Sequence, residues 1–407
     1  MTPALRDRPS APSTHSPLKP LEPFRAYVGP LALLSVVFFV NFVGRIALAP
    51  LLPAIEQDLH ISHAQSGSLF FILSAAYCVA LLGSGLVSSR LTHRRTIIVS
   101  MTGMGVALLL TAAGSELWSV RLGLVAAGLA AGLYLPSAMA AIMDLLPTRH
   151  WGKGIAAHEA APNLAFVLAP FLCEALLSVL PWSAAIGAFG VASLAAAAAF
   201  AGWGRFGAFK GAAPDFRSVR SILAGRTYWM LMLVFGLGIG ASLGIYAVLP
   251  IVLVGSHGLE REQANTILAL TRIPGVAVAF VSGWFTDRFG PKRTMTTVLL
   301  LNGGLTFALA VLPMPWLLVP ISIQPALSVC FFPAGFSAIG LSVPKASRNL
   351  AVALTTPAAF IIGAGLVPTL IGFAGDVWSF QAGLILTGGL VLAGSLLSSR
   401  LRVKPDA

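Results

Sequence analysis

The sequence predicts an all-α membrane protein in which twelve transmembrane helices form two six-helix pseudo-repeats. Composition is the first observation. The chain is 57% hydrophobic and 10% charged, with a mean hydropathy of +0.87, whereas a soluble domain averages about 25% charged residues. The second observation is a series of apolar runs of membrane-spanning length, and the third is a basic turn that recurs at half the chain length.

The apolar runs have the length that a helix needs to cross a bilayer. About 20 residues suffice, because the hydrocarbon core is about 30 Å thick and a helix rises about 1.5 Å per residue. Transmembrane strands would instead show alternating segments of about ten residues, a pattern that the sequence lacks. The twelve helices are predicted to begin near Gly29, Ser66, Thr96, Leu117, Lys153, Trp182, Thr227, Ala264, Thr294, Trp316, Leu350 and Val377.

These helices divide the chain into five segments. Residues 1–28 are rich in Pro, Ser and charge, which predicts a disordered cytoplasmic tail. This tail lacks a short apolar segment with a small-residue cleavage site, so no cleaved signal peptide is expected. The remaining segments are a six-helix bundle at 29–203, a polar cytoplasmic linker at 204–226, a second six-helix bundle at 227–400 and a short cytoplasmic tail at 401–407.

Lys and Arg residues concentrate on one side of this topology. With both termini in the cytoplasm, 22 of the 26 fall in the tails, the linker and the inner loops, that is, all but Arg45, Arg121, Arg261 and Arg272. The positive-inside rule explains this bias and predicts a multi-pass protein of the cytoplasmic (inner) membrane. The net charge of +12 is therefore a property of the topology, in which basic loops meet the lipid bilayer, and does not indicate nucleic-acid binding.

The two halves of the chain share repeated sequence features. A basic turn, GWFTDRFGPKR, runs from Gly283 to Arg293, and a degraded copy, GLVSSRLTHRR, begins 198 positions earlier at Gly85. The prolines that end the first and seventh helices, Pro53 and Pro250, are 197 apart. Such spacing predicts parallel six-helix halves related about the membrane normal, an architecture found in transporters.

The second copy resembles the loop motif of the major facilitator superfamily, G-x-x-x-D-R-x-G-x-[KR]-[KR], at Gly283, Asp287, Arg288, Gly290, Lys292 and Arg293. Arg121, at the start of the fourth helix, resembles the second motif of that superfamily. The resemblance implies the major facilitator fold and a gating role for these residues.

The first copy keeps Gly85, Arg90 and Arg94 but has Ser89 and Thr92 where the motif has Asp and Gly. In the family this loop helps to hold the two bundles together on the cytoplasmic side, so its degradation weakens the expectation of a strong inner latch. The alternative for both turns is plain positive-inside charge, which would explain Arg94 without any motif.

Two arginines lie at membrane depth, where an ionisable side chain costs about 2.5–3.5 kcal/mol on insertion scales and is a functional candidate. Arg45 and Arg272 lie 11 and 10 residues from acidic residues of outer loops, which places both near the midplane on helices of opposite halves. We expect them to face one cavity and to bind a planar anion through their guanidinium groups. Asn41, one turn before Arg45, is expected to share that face. The alternative is a structural Arg paired with a carboxylate or a carbonyl.

Other polar side chains extend this candidate site. Glu159 and His158 open the fifth helix and are the candidates for proton coupling, since His titrates near neutrality. The alternative is that they make only local charge and hydrogen-bond contacts. Asn163, one turn on from Glu159, and the mid-helix residues Tyr77 and Tyr246 are candidate substrate contacts, with aromatic core packing as the alternative for the tyrosines.

The site predicts a secondary active transporter of a small organic or inorganic anion, proton-coupled or working by exchange. The first helix, NFVGRIALAPLLPAIEQDL, resembles that of the anion:cation symporter and organophosphate antiporter groups, but Gly44 stands where such symporters often have an acid, so their proton site does not transfer. The alternatives are a proton-coupled drug or metabolite efflux pump, and a non-transporting sensor or lipid-handling protein on the same fold.

Other classes of function find no support in the sequence. It has no P-loop for ATP and no paired nucleophile and base, so neither ATP-driven transport nor an enzyme is expected. The three cysteines are scattered through apolar runs and form no disulfide or metal pattern. No cofactor is expected, and the protein is expected to be a monomer.

Overall fold

The computed structural model describes residues 23–211, 216–343 and 348–401. Most of the predicted N-terminal tail (1–22), part of the linker (212–215) and most of the C-terminal tail (402–407) lie outside these described residues. Within them every regular element is helical, so the predicted all-α class is confirmed. Eleven helices are long and apolar enough to cross a membrane, and a twelfth, α8, is a pair of helices with a 55° bend between them.

The first half contains six of these helices: α1 (Phe24–Leu59), α2 (His63–Arg90), α3 (His93–Ala113), α4 (Leu117–Leu145), α5 (Thr148–Leu177) and α6 (Trp182–Trp203). The second half contains the other six: α7 (Arg226–His257), α8 (Arg261–Ala279 and Val281–Phe289), α9 (Pro291–Val311), α10 (Leu318–Leu341), α11 (Leu350–Val377) and α12 (Phe380–Ser399). A short linker helix, Phe216–Leu223, lies between the halves in sequence and packs on the second.

Local sequence signals explain where several of these helices begin and end. Ser62 and Gln65 form a capping box that begins α2, because each side chain accepts a hydrogen bond from the other residue's backbone N–H. Thr92 caps α3 in the same position. Gly290 has φ +80°, a left-handed conformation suited to glycine, and it lets the chain turn directly from α8 into α9.

Four helices are irregular at mid-membrane, and these irregularities position the site. Pro50 and Pro274 lack the backbone N–H that would continue the helical hydrogen bonds. The helix is interrupted just before each proline, at Ala47 in α1 and at Thr271–Arg272 in α8. In α7 and α11 the irregularity is a wide π-turn, at Gly240–Gly244 and at Ile361–Leu366. Such turns expose backbone carbonyls and are frequent at functional sites.

The two ends of the molecule differ. We call the end with the α2–α3, α4–α5, α8–α9 and α10–α11 connections the basic end, and the other the far end. At the far end the two halves are in direct contact. Arg261 of α8 forms a bidentate pair with Glu174 of α5 at 2.8–3.3 Å, and the carboxylate of Asp376 in α11 accepts hydrogen bonds from the first two backbone N–H groups of α2 at 2.9 and 2.8 Å.

Close helix packing accompanies these polar contacts. At Gly67 of α2, a Cβ atom would lie 2.6 Å from the carbonyl oxygen of Pro368 in α11, and at Gly372 of α11 it would lie 2.2 Å from the carbonyl oxygen of His63 in α2. Because side chains are absent there, the α2 and α11 backbones touch. The apolar core of the first half also continues into α7, α8, α11 and α12. The far end therefore seals the cavity from that side.

At the basic end the linker packs on the first half. The first part of the linker, residues 204–211, lies along the α2–α3 turn. The backbone N–H groups of His93, Arg94 and Gly211 donate to Phe209, Gly207 and Ser88 at 2.8–3.0 Å. The guanidinium group of Arg94 donates to the carbonyls of Ala201 and Gly204. The degraded motif copy thus binds the linker of its own half.

Candidate transport cavity

A cavity of about 470 Å³ lies between the two halves and extends from mid-membrane toward the basic end. It is lined by α1, α2, α4 and α5 of the first half and by α7, α8, α10 and α11 of the second. Its surface is mostly apolar and rich in aromatic rings. The polar side chains at its wall include Arg45, Arg272, Glu159, Asn163 and Ser242. An apolar cavity with a few convergent polar groups is the usual form of a small-molecule site.

Arg45 reaches this cavity from α1, just before the break at Ala47. Its guanidinium carbon lies 3.9 Å from the ring centroid of Tyr77 in α2, with the rings of Phe42 and Phe360 at 5.4 and 6.0 Å. In the part of the chain that the structure describes, no hydrogen bond and no carboxylate is recorded for this guanidinium. Within the described residues, ring faces are what compensates its charge, an interaction worth about 0.5–2 kcal/mol.

Arg272 reaches the cavity from the second half, at the break of α8. Its guanidinium donates to the backbone carbonyl of Ser242 at 3.0 Å and to the Ser242 hydroxyl at 3.4 Å, in the π-turn of α7. The rings of Phe166 in α5 and Tyr246 in α7 each lie 4.6 Å from its guanidinium carbon. Among the described residues no carboxylate pairs with it.

The two arginines thus have similar surroundings. Each lies at a proline-induced helix break, each faces aromatic rings from both halves, and both line the same cavity. A charge at membrane depth normally pairs with an opposite charge or a polar backbone group. Two guanidinium groups without a carboxylate leave hydrogen-bond donors available for an anion, which is what such an arrangement can bind.

Glu159 shares the cavity with them. Its side chain is 48% exposed, and Asn163, one turn further along α5, donates to its backbone carbonyl at 3.1 Å. His158 points the other way, into the first half, where it is fully buried. Its Nδ1 lies 3.5 Å from Oε1 of Glu159, close enough for charge interaction although the geometry does not make a hydrogen bond.

One predicted substrate contact is corrected by the structure. Asn41 is buried inside the first half, and its amide approaches the sulfur of Met101 in α3 at 3.7 Å instead of the cavity. A spacing of four residues turns a helix by about 400°, which is about 40° more than one full turn. This rotation relative to Arg45 is enough to direct Asn41 into the bundle. Tyr77 lines the cavity, whereas Tyr246 is buried beneath Arg272 and lines a small adjoining cavity of about 50 Å³.

The predicted gating residues are not brought together. Asp287 and Arg288 are exposed at the end of α8, and within the described residues no ion pair links Asp287 to Lys292 or Arg293. Arg90 ends α2. Arg121 lies at the far end, where it donates to Ser68 of α2 at 3.3 Å. The inter-half ion pair between Arg261 and Glu174 lies at the far end, away from these loops.

A larger groove of about 820 Å³ runs between α8, α9 and α10, but it is lined by a different set of residues. Its walls include exposed apolar side chains such as Phe285, Phe289 and Leu301, which a bilayer would cover. We place the site in the smaller cavity because both midplane cations and Glu159 lie there.

Sequence reasoning missed several residues of this cavity. Phe166 and Phe360 face the arginines across the inter-half boundary, and Ser242 supplies the carbonyl that holds Arg272. Aromatic residues are common in apolar helices, so their positions carried no distinguishing signal. The glycines flanking Ser242, at Gly240 and Gly244, were the available hint of irregular backbone.

Two six-helix halves around a central, cation-bearing cavity define a membrane transporter with the major facilitator fold. The sequence profile described as Major Facilitator Superfamily matches residues 34–323 and 227–407. The chain therefore belongs to this superfamily, and it is a multi-pass membrane protein of that type.

Curated relatives carry names that refer to drug resistance. The multidrug resistance protein MdtL of Escherichia fergusonii is 27% identical over 363 residues, which cover 85% of this chain and 88% of that protein. MdtL of Klebsiella pneumoniae subsp. pneumoniae is 26% identical over 264 residues, or 64% of this chain and 67% of that protein. The predicted resemblance to anion:cation symporters and organophosphate antiporters stays a prediction.

Solved structures agree on the fold. A bacterial homolog of the human lysosomal transporter Spinster, in an inward-facing and unoccupied conformation, superposes with a TM-score of 0.79 at 15% identity, covering 93% of this chain and 97% of that one. A mutant of the nucleoside transporter NupG gives a TM-score of 0.75 at 14% identity, covering 91% and 98%. Identities this low inform on the fold alone.

Proposed function

We propose that this protein is a secondary transporter that exports amphiphilic organic anions, in which a carboxylate or similar group is attached to an aromatic body. One observation carries the proposal: Arg45 and Arg272 line one aromatic cavity, and no carboxylate among the described residues pairs with either.

The chemistry of the cavity fits both parts of such a molecule. A planar anion accepts two parallel hydrogen bonds from a guanidinium group. An aromatic body packs against rings such as Phe166 and Phe360, with ring pairs worth about 0.5–1.5 kcal/mol beyond their buried area. A purely inorganic anion would leave most of this apolar lining unused.

Two considerations support export. The relatives are named for multidrug resistance, a name that describes them and is consistent with efflux here. An anion that leaves an inside-negative cell moves with the electrical potential, which supplies about 2.3 kcal/mol per charge for each 100 mV.

A second candidate function is proton-linked uptake of an anion, and Glu159 is the observation that favours it. Its carboxyl group lines the same cavity as the two arginines. An ionised Glu159 repels an anionic substrate, whereas a protonated one does not. Proton and anion would then occupy the cavity together and travel in the same direction.

Transport assays in oriented vesicles test the two candidates. The probes are three naphthalenes of similar size: 1-naphthoate, the cation 1-naphthylmethylammonium and neutral 1-naphthalenemethanol. Everted vesicles, energised so that their interior is positive, should accumulate 1-naphthoate in excess of vesicles without the protein. Accumulation in right-side-out vesicles alone would support uptake, and preference for the cation would overturn the proposed role of the arginines.

The proton-linked candidate has its own test: replacing Glu159 by Gln should abolish movement of 1-naphthoate driven by an imposed pH gradient. Exchange across the membrane without a gradient should be largely retained, because exchange requires no net proton movement. Both assays are made in the same proteoliposomes. Glu262→Gln, at an exposed position of α8 outside the cavity, is the matched control and should resemble the parent. If Glu159→Gln still couples transport to pH, the proton site lies elsewhere.

A further inference from the structure

His158 lies in a closely packed site inside the first half. Its imidazole is fully buried between α1, α4 and α5. The ring of Phe38 stacks on it at a centroid distance of 4.3 Å with an interplanar angle of 7°, and the parallel ring of Tyr134 lies 5.9 Å away. Tyr134 is also fully buried. A buried polar pair of this kind is expected to have defined hydrogen bonds.

The hydrogen bonds of Tyr134 determine the tautomer of His158. The Tyr134 hydroxyl lies 2.9 Å from the backbone carbonyl of Leu34 and 3.1 Å from Nε2 of His158. A carbonyl only accepts, so the single hydroxyl proton is donated to Leu34. Nε2 must then be the donor of the second hydrogen bond and carry the imidazole proton. Neutral His158 is consequently the Nε2–H tautomer.

The other ring nitrogen is left as an acceptor without a donor. In the Nε2–H tautomer, Nδ1 carries a lone pair, and among the residues that the structure describes this buried atom has no hydrogen-bond partner. The nearest acidic group is the carboxyl of Glu159, 3.5 Å away. Buried unsatisfied nitrogens are uncommon, and this one can accept a proton from the carboxyl group once the half-exposed Glu159 side chain rotates to form a hydrogen bond with it.

We propose that Tyr134 is a positioning residue for proton coupling: it holds His158 so that Nδ1 accepts the proton that Glu159 takes from the cavity. The Glu159 O–H bond breaks and an Nδ1–H bond forms, which leaves a carboxylate facing an imidazolium. The inference rests on the proposed role of Glu159 as the group that exchanges protons with the cavity.

The surroundings of His158 suit a transient positive charge. The face of Phe38 covers the ring, a contact that stabilises a cation. Tyr134 keeps accepting from Nε2–H after protonation, and the Glu159 carboxylate opposes the new charge. Tyr134 from α4 and Glu159 from α5 are the ionisable groups that the recorded contacts place against the imidazole, while α1 contributes Phe38 and the Leu34 carbonyl.

Side-chain NMR tests the tautomer without any substrate. The chain has seven histidines, and the ¹⁵N signals of His158 are assigned by their loss in His158→Gln. In the parent at alkaline pH, the ¹⁵N chemical shifts of these signals should be those of the Nε2–H tautomer. In Tyr134→Phe the same chemical shifts should change. Tyr228→Phe is the matched control, because it removes a hydroxyl bound to a helix carbonyl in the second half, and it should leave them unchanged. An Nδ1–H tautomer in the parent would overturn the inference.

Transport supplies the second readout. The pH profile of 1-naphthoate movement driven by an imposed pH gradient should shift toward lower pH by about one unit in Tyr134→Phe, because a hydrogen bond to a charged group is worth more than one to a neutral group. Tyr228→Phe should keep the parent profile. An unchanged profile in a folded Tyr134→Phe would overturn the positioning role. If the parent moves no naphthoate at all, the proposed function fails, and the NMR result still decides the tautomer.

Discussion

Replacing Arg272 or Arg45 by Lys is expected to weaken transport of 1-naphthoate by about tenfold or more, while expression stays near normal. Lysine keeps the positive charge but loses both the two-pronged hydrogen bond and the planar stacking on aromatic rings. Loss of about 1.4 kcal/mol of binding corresponds to a factor of ten. The measurement is the concentration dependence of transport in proteoliposomes.

The two variants should differ in stability, which separates binding from structure. Arg272 donates to the Ser242 carbonyl, so Arg272→Lys should also lower the melting temperature of the protein in detergent. Arg45 has no recorded hydrogen bond among the described residues, so Arg45→Lys should affect transport alone. Arg95→Lys, at an exposed position in the first turn of α3, controls for loss of a guanidinium group. Unchanged affinity in both cavity variants would rule out anion recognition by this pair.

Replacing Gly372 by Ala should strongly reduce net transport, because the closed arrangement of the far end would be destabilised. The added Cβ would lie 2.2 Å from the carbonyl oxygen of His63 and 2.8 Å from its carbonyl carbon. Both are backbone atoms, so α2 and α11 would have to separate, and overpacking of this kind costs about 1–3 kcal/mol. Conformations that are open at the far end would therefore gain population at the expense of the one described here.

Thiol accessibility reports this shift directly. A cysteine introduced at Asn163 should become reactive toward a membrane-impermeant reagent added at the far side in Gly372→Ala, and stay protected in the parent. Gly304→Ala is the matched control, since a Cβ there would meet no atom within 4 Å. Parent-like transport by Gly372→Ala would show that the contact between α2 and α11 tolerates the methyl group.

The fold was accessible from the sequence because membrane physics acts on whole segments. Apolar runs of spanning length and the repeated basic turn predict the helices and their two-fold grouping without knowledge of any contact. The depth of Arg45 and Arg272 followed from counting residues to the outer loops. Depth, however, does not determine direction around the helix, and Asn41 was assigned to the wrong face for that reason.

Contacts between the halves were beyond such reasoning. Glu174 and Arg261 are 87 positions apart, and Asp376 caps a helix that begins more than 300 residues earlier. Neither pairing has a local signature. The loop motif predicted gating residues at the basic end, whereas the Arg261–Glu174 ion pair between the halves lies at the far end. Similarly, the orientation of His158 away from the cavity depends on Phe38 and Tyr134, which packing alone brings beside it.

The docked linker limits how widely the transporter can open. Residues 204–211 are hydrogen-bonded to the first half, and the linker helix, beginning at Phe216, belongs to the second, where Ile222 enters its core. The chain between Gly211 and Phe216 amounts to five Cα–Cα steps, which reach at most about 17 Å when fully extended. As long as both ends stay docked, this short tether bounds the separation of the halves at the basic end, and with it the width of a substrate that can enter there.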